Sequence, residues 1–200
     1  NAKIGAKTGT RDRRSWLFNT GIAGLEQADA ILLVGTNPRA EAPMINARLR
    51  KIWLNDLGVK IGLIGEQKDL SFEYDYLGAG PDTVSALARG EGAFFEALKS
   101  AKNPAIIVGM GALTRKDGAA ILNLAASLAD KVGAIRGDWN GFNVLHTAAG
   151  RVGALDLGFL PGEGGKDFNG ILDACANGGM EVVYNLGADE HDAKRLKGAF

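Results

Sequence analysis

The residues best suited to chemistry are Gly35-Thr36-Asn37-Pro38, which follow the apolar run Ala30-Ile31-Leu32-Leu33-Val34. A glycine turn at the carboxyl end of a parallel strand could cradle a phosphate. Glycine lets backbone N–H groups come close, and the start of a helix favours an anion. Three more glycine turns fall at expected strand ends, after Ile64, Val108 and Leu186. Together they argue for a nucleotide or a pterin nucleotide. The same glycines also meet a plain structural need, since strand-to-helix turns require them. None completes a G-x-G-x-x-G fingerprint, and no P-loop lysine pattern is present. Gly109-Met110-Gly111 comes nearest and lacks the third glycine.

Other reactive side chains are sparse. Glu66 ends the second apolar run, where a carboxylate could hold a ribose hydroxyl or simply face water. His146 and His191 are the only histidines, and their spacing fits no metal motif. Asp189, Glu190 and Asp192 surround His191 in an acidic loop that could bind a cation or be solvated. Cys175 lies between alanines in an apolar segment, as a buried structural cysteine would. One cysteine cannot supply a zinc or iron–sulfur ligand set, nor an internal disulfide, which suits a reducing compartment. No G-x-S-x-G is present. Arg11, Arg13 and Arg14 could grip phosphate, line a solvated loop or meet a neighbouring domain.

These residues need a scaffold, and the hydrophobic pattern supplies one. A short, continuous apolar run ended by turn residues reads as a strand buried on both faces. Such runs occupy Ala30–Val34, Ile61–Ile64 and Ala105–Val108. Between the first two, Glu41 to Leu57 has helical spacing, with Ile45, Leu49, Ile52 and Trp53 on one face. Pro43 suits its first turn and Gly58 its stop. Ser71–Leu77 alternates like an edge strand. Helices are expected after Pro81, around Phe94, from Asp117 as cap to Gly133, over Ala148–Leu157 and over Ile171–Ala176. A short helix is expected over Ile22–Ala28 and a short strand within 134–147. Residues 161–170 read as a mobile loop and Glu181–Leu186 as a further strand.

The alternation predicts an α/β fold: a Rossmann-like, three-layer arrangement of parallel sheet with helices on both faces. The expected organisation is a basic arm over 1–20 and an α/β domain over 21–200, with halves 21–102 and 103–200 as one reading. At 46% apolar the chain can bury a real core. Its 23 basic and 23 acidic residues give no global charge to attract nucleic acid or an anionic membrane. Its longest apolar runs fall far short of a membrane span. The first residue is Asn1, so a piece of a longer protein is expected.

Several segments together resemble the large iron–sulfur subunit of the proton-pumping NADH:quinone oxidoreductase, respiratory complex I. They are Asn19–Gly24, Ala28–Arg39, Glu41–Pro43, Leu63–Gly65, Asp117–Leu122 and Ala154–Gly158. Gly35–Pro38 alone is shared across molybdopterin oxidoreductases; the combination is more specific. The resemblance implies a piece of the molybdopterin-oxidoreductase-like part of that subunit. It implies 2Fe–2S and 4Fe–4S clusters elsewhere in the full chain, and no cofactor, metal or catalytic residue here. Gly35, Thr36, Asn37 and Pro38 would be vestiges of a pterin-nucleotide turn. The fourth turn departs from that pattern as Gly187-Ala188-Asp189, whose carboxylate would repel a pyrophosphate. The implied partners are other complex I subunits and the cluster-bearing part of the same chain. The Arg11–Arg14 arm and the 161–170 loop are the expected contact surfaces. The implied place is peripheral, on the cytoplasmic face of a bacterial inner membrane or the matrix side of a mitochondrial one. The alternative is an FAD-, nucleotide- or pterin-nucleotide-binding module of an oxidoreductase. It rests on Asn103–Ala112, which looks like the middle domain of thiamine-dependent decarboxylase-type enzymes.

Overall fold

The structure is a computed structural model that describes residues 13–56, 58–148, 150–185 and 196. These divide into two compact units on either side of the Val152–Gly153 bond. The first opens with a 3-10 turn at Arg13–Ser15, then α1 (Gly21–Gly24) and a second 3-10 turn at Leu25–Gln27. There follow β1 (Ala30–Val34), α2 (Pro38–Glu41), α3 (Pro43–Asn55), β2 (Lys60–Ile64) and β3 (Asp75–Gly78). Next come α4 (Pro81–Arg89), α5 (Ala93–Ser100), β4 (Pro104–Gly109), α6 (Met110–Leu113), α7 (Gly118–Lys131) and β5 (Phe142–Leu145). After them come α8 (Gly150–Asp156) and α9 (Phe168–Ala176).

The five strands form one sheet in the order β3-β2-β1-β4-β5, and every pair is parallel. All five residues of β1 are buried, as helix-covered strands require. Side-chain alternation then assigns two faces. Ile31, Leu33, Ile61, Leu63, Ala105 and Ile107 share one core with Ile45, Leu49 and Ile52 of α3. On the other face, Leu32, Gly62 and Ile106 are in register, and α5 and α7 lie against β1 and β4. A Cβ added at Gly62 would lie 2.6 Å from the Phe94 ring, so α5 fills the space that glycine leaves. Helices therefore cover both faces, as the periodicity predicts. The sheet also runs across residue 103, because β1 pairs directly with β4.

Several expectations are corrected. The helix expected over Glu41–Leu57 is interrupted at its start: Glu41 ends α2 and α3 begins at Pro43, with Ala42 non-helical between the two helices. Pro43 disfavours helical backbone in the residue before it. The second of them stops at Asn55, not at Gly58: Asp56 is extended and its carboxylate accepts the Gly58 N–H at 2.8 Å. The edge strand begins at Asp75, not Ser71. Asn46 donates to the Leu70 carbonyl, Arg50 donates to that of Ser71, and Ser71 itself sits at φ +66°. Those bonds hold Ser71–Tyr74 to α3 and away from the sheet.

The segment Glu181–Leu186 does not form a strand over its described part, residues 181–185. No described strand pairs with it, and an unpaired strand leaves its backbone groups unsatisfied. Asn169 and Gly170 also differ from expectation. They are not loop but the first turn of α9, where the Asp167 carboxylate accepts the Gly170 N–H at 2.7 Å. The second unit has its own small core of Leu172, Cys175 and Leu196. Cys175 is fully buried and free, in keeping with a structural cysteine.

Over its described part, the arm lies along β5. Val144 N–H donates to the Leu17 carbonyl at 2.9 Å, and Phe18 bridges to Asn143. Asn19 Nδ2 donates to the Phe142 carbonyl at 2.5 Å. The segment thus covers the outer edge of β5, which would otherwise present unpaired backbone. Arg11 lies outside the described residues.

Candidate functional site

The strand order reverses direction at β1 and β4, so the crevice beyond their carboxyl ends is where an open α/β sheet binds ligands. Three of the four glycine turns converge there, after β1, β2 and β4. The fourth, after Leu186, lies outside the described residues, as do His191 and its acidic neighbours. Gly35 N–H donates to the Ile64 carbonyl at 2.8 Å, and Gly65 N–H to the Gly78 carbonyl at 2.9 Å. The parallel ladder therefore continues into the turns and holds them level.

Gly35 has φ +58°, and a Cβ there would lie 2.5 Å from both Cβ and N of Ala112. A Cβ on Gly111 would lie 2.7 Å from the Gly35 carbonyl oxygen, and one on Gly109 would overlap Thr36. The β1 and β4 turns are thus pressed backbone to backbone. The glycines provide close packing between two turns. They do not leave a gap between β1 and β4 for a diphosphate.

Beside this contact remains a cleft of about 300 Å³, bordered by Thr36, Glu41, Glu66, Lys68 and Arg115. Thr36 is buried, and its Oγ1 donates to Glu41 Oε2 at 2.8 Å. Asn37 N–H donates to Glu41 Oε1 at 3.0 Å. The Asn37 side chain caps α2 by accepting the Ala40 N–H at 3.4 Å, and Pro38 takes the first helical position. All four motif residues therefore work on the turn itself. Sequence reasoning does not single out Glu41. A capping box places the glutamate three residues after the cap, whereas Glu41 follows Asn37 by four.

The charged rim is paired within itself. The Glu66 carboxylate is 77% exposed and meets Lys68 Nζ at 2.5 Å, so it is a rim residue paired to its own loop. Arg115 grips Asp117 through Nε at 2.7 Å and Nη2 at 2.9 Å, and this holds the Asp117 carboxyl below its usual range. Asp117 stands at the expected cap position of α7, yet its side chain caps nothing, because Arg115 has claimed it. That corrects the capping role given to it from sequence. Among the described residues, no group of histidine, cysteine and carboxylates could hold a metal ion.

His146 lies outside this cleft, just past β5. Its Nε2 is 2.7 Å from the Trp16 carbonyl, and its buried Nδ1 has no partner among the described residues. Burial lowers the imidazole pKa below its ordinary 6.5; the Trp16 carbonyl works against the shift, and the Arg151 charge adds to it. A depressed histidine pKa means the folded protein binds fewer protons than the unfolded chain. The contribution to stability is then complete above about 6.5 and is lost as pH falls through the lower, folded value. The expected result is a urea midpoint that drops between about pH 7.5 and about pH 5.5, with a smaller drop in His146→Gln. Equal drops in the two proteins would exclude His146 as the cause.

Comparison with known proteins adds a family to this geometry. A family model described as molybdopterin oxidoreductase matches residues 1–200. The chain is 41% identical over 184 residues to the mitochondrial NADH dehydrogenase [ubiquinone] iron-sulfur protein 1 of Solanum tuberosum, covering 92% of this chain and 23% of the relative. It is 42% identical over 195 residues to an NADH-quinone oxidoreductase subunit of Rickettsia bellii, covering 97% of this chain and 27% of the relative. It is 41% identical over 192 residues to the mitochondrial NADH-ubiquinone oxidoreductase 78 kDa subunit of Neurospora crassa, covering 94% and 24%. The chain thus spans about a quarter of the length of these relatives.

Proposed function

The chain belongs to the molybdopterin oxidoreductase family, and from that premise we propose that it is a non-catalytic domain of the iron–sulfur subunit of an NADH:quinone oxidoreductase. The whole protein would pass electrons from NADH towards quinone through 2Fe–2S and 4Fe–4S clusters held elsewhere in its chain. This region would donate no ligand and would pack against the cluster-bearing part and neighbouring subunits. The names and identities of the relatives support the assignment of the complex. The place proposed is peripheral, at the cytoplasmic face of a bacterial membrane or the matrix side of a mitochondrial one. Among the described residues, no helix is long and apolar enough to cross a membrane.

One observation carries the non-catalytic reading. Two donors of the β1 turn, Thr36 Oγ1–H and Asn37 N–H, are already bonded to Glu41. A pterin nucleotide, the group the family name implies, does not fit such a turn. Its diphosphate would meet a carboxylate where it needs donors, and Ala112 packed against Gly35 where it needs space. In the second unit Leu157, Phe159 and Leu160 are exposed, at 86%, 82% and 63%, which suits a protein contact surface.

The test is to denature the purified intact protein and assay molybdenum, pterin fluorescence and released nucleotide. The expected result is iron and sulfide, with molybdenum and pterin far below one equivalent. A full equivalent of either would overturn the reading. Calorimetry with FAD and ADP addresses the alternative of a nucleotide-binding module, which predicts tight binding of one of them.

A further inference from the structure

We infer that Glu41 is a built-in plug: its carboxylate occupies the anion position of the β1 turn and makes the cleft reject phosphate-bearing ligands. This rests on the non-catalytic reading above and gives it a residue. Both carboxylate oxygens are used, one by the Thr36 hydroxyl and one by the Asn37 amide. Such a pairing of two donors with two oxygens is how a turn would hold one edge of a phosphate. The donors are neutral, so they do not cancel the charge of Glu41 at the floor of the cleft. The nearby cations do not offset it, because Lys68 is engaged by Glu66 and Arg115 by Asp117.

Sequence order makes the plug local. Asn37 ends the β1 turn, Pro38 starts α2, and one helical turn returns Glu41 to the same two donors. The backbone repeats the connection, with Glu41 N–H donating to the Asn37 carbonyl at 2.9 Å. Pro43 then keeps Ala42 out of the helical region, so α2 ends with Glu41 as its last residue. The plug is therefore fixed from both sides by backbone. It needs no ordering from a partner.

The experiment compares wild type, Glu41→Gln and Glu41→Ala in the intact protein, with inorganic pyrophosphate and GDP as probes. Binding is read by calorimetry and by protection of the peptide spanning residues 34–44 from hydrogen exchange. Glu41→Gln removes the charge and keeps an acceptor; Glu41→Ala frees both donors. The expected result is no measurable binding to wild type and an affinity gain of about tenfold or more in Glu41→Ala, with Glu41→Gln between them. Variants that fold and bind the probes no better than wild type overturn the plug and leave the non-catalytic reading standing. Wild type that binds pyrophosphate with protection at 34–44 overturns both. If the variants fold poorly, wild type alone decides the matter. An Asn37 amide exchanging as freely as an unbonded one overturns the plug, and a protected one upholds it.

Discussion

Gly35→Ala should be among the most damaging single-methyl additions this chain can receive, costing about 3 kcal/mol or more. Two penalties add at this position. Gly35 sits at φ +58°, where a side chain is strained by roughly 1–2 kcal/mol. The new Cβ would also lie 2.5 Å from Ala112 N and Cβ. One of those is a backbone atom and cannot rotate away. The turn would have to part from α6, and α6 is tied to β4 and α7. Gly133→Ala separates the two penalties: φ there is +72°, and nothing lies within 4 Å of the added carbon. It should therefore cost only about 1 kcal/mol. Urea midpoints of the two variants measure the difference. Equal losses would mean that the turn–turn contact contributes nothing beyond backbone strain.

Much of this contact was legible in sequence, and its meaning was not. The apolar runs at Ala30–Val34, Ile61–Ile64 and Ala105–Val108 announce buried parallel strands, because strands covered on both faces cannot alternate. The glycines after them announce turns at one end of the sheet. Nothing in their spacing says whether a glycine makes room for a ligand or for a neighbouring turn, since either needs a missing Cβ. That choice depends on where α6 lies, which is tertiary information. The reach of Glu41 back to Thr36 was hidden for a similar reason: it depends on a four-residue helix ending at a proline-disfavoured Ala42. Asp117 was placed correctly by the cap rule, but Arg115 two residues earlier outcompetes the backbone for its carboxylate. The segment Glu181–Asn185 has strand composition, yet a strand is a pairing, and its composition cannot name a partner.

The remaining large effect belongs to the central strand. Leu33→Ala should cost about 3–5 kcal/mol, near the top of the range for buried leucines. Leu33 is fully buried, and it shares a core with Leu63, Ile107, Leu49 and Trp139. The cost of such a deletion depends on how far the surroundings collapse into the void. Here they can move little, because β1 is hydrogen-bonded to β2 on one side and β4 on the other. The Leu63 and Ile107 side chains flank the site on backbones locked in the same register. Trp139 is pinned as well, since its Nε1 donates to the Pro104 carbonyl at 2.8 Å. With domain stabilities of about 5–15 kcal/mol, a loss of this size is a large fraction of the total. Thermal unfolding should fall by roughly 10 °C, and the urea midpoint should fall with the slope unchanged. Leu54→Ala is the matching control: that side chain is 55% exposed on α3, and its removal should cost less than about 0.5 kcal/mol. A Leu33→Ala protein within about 1 kcal/mol of wild type would mean that β1 is not the rigid centre of the sheet. The turn at Gly35 would then have no fixed platform from which to press on Ala112.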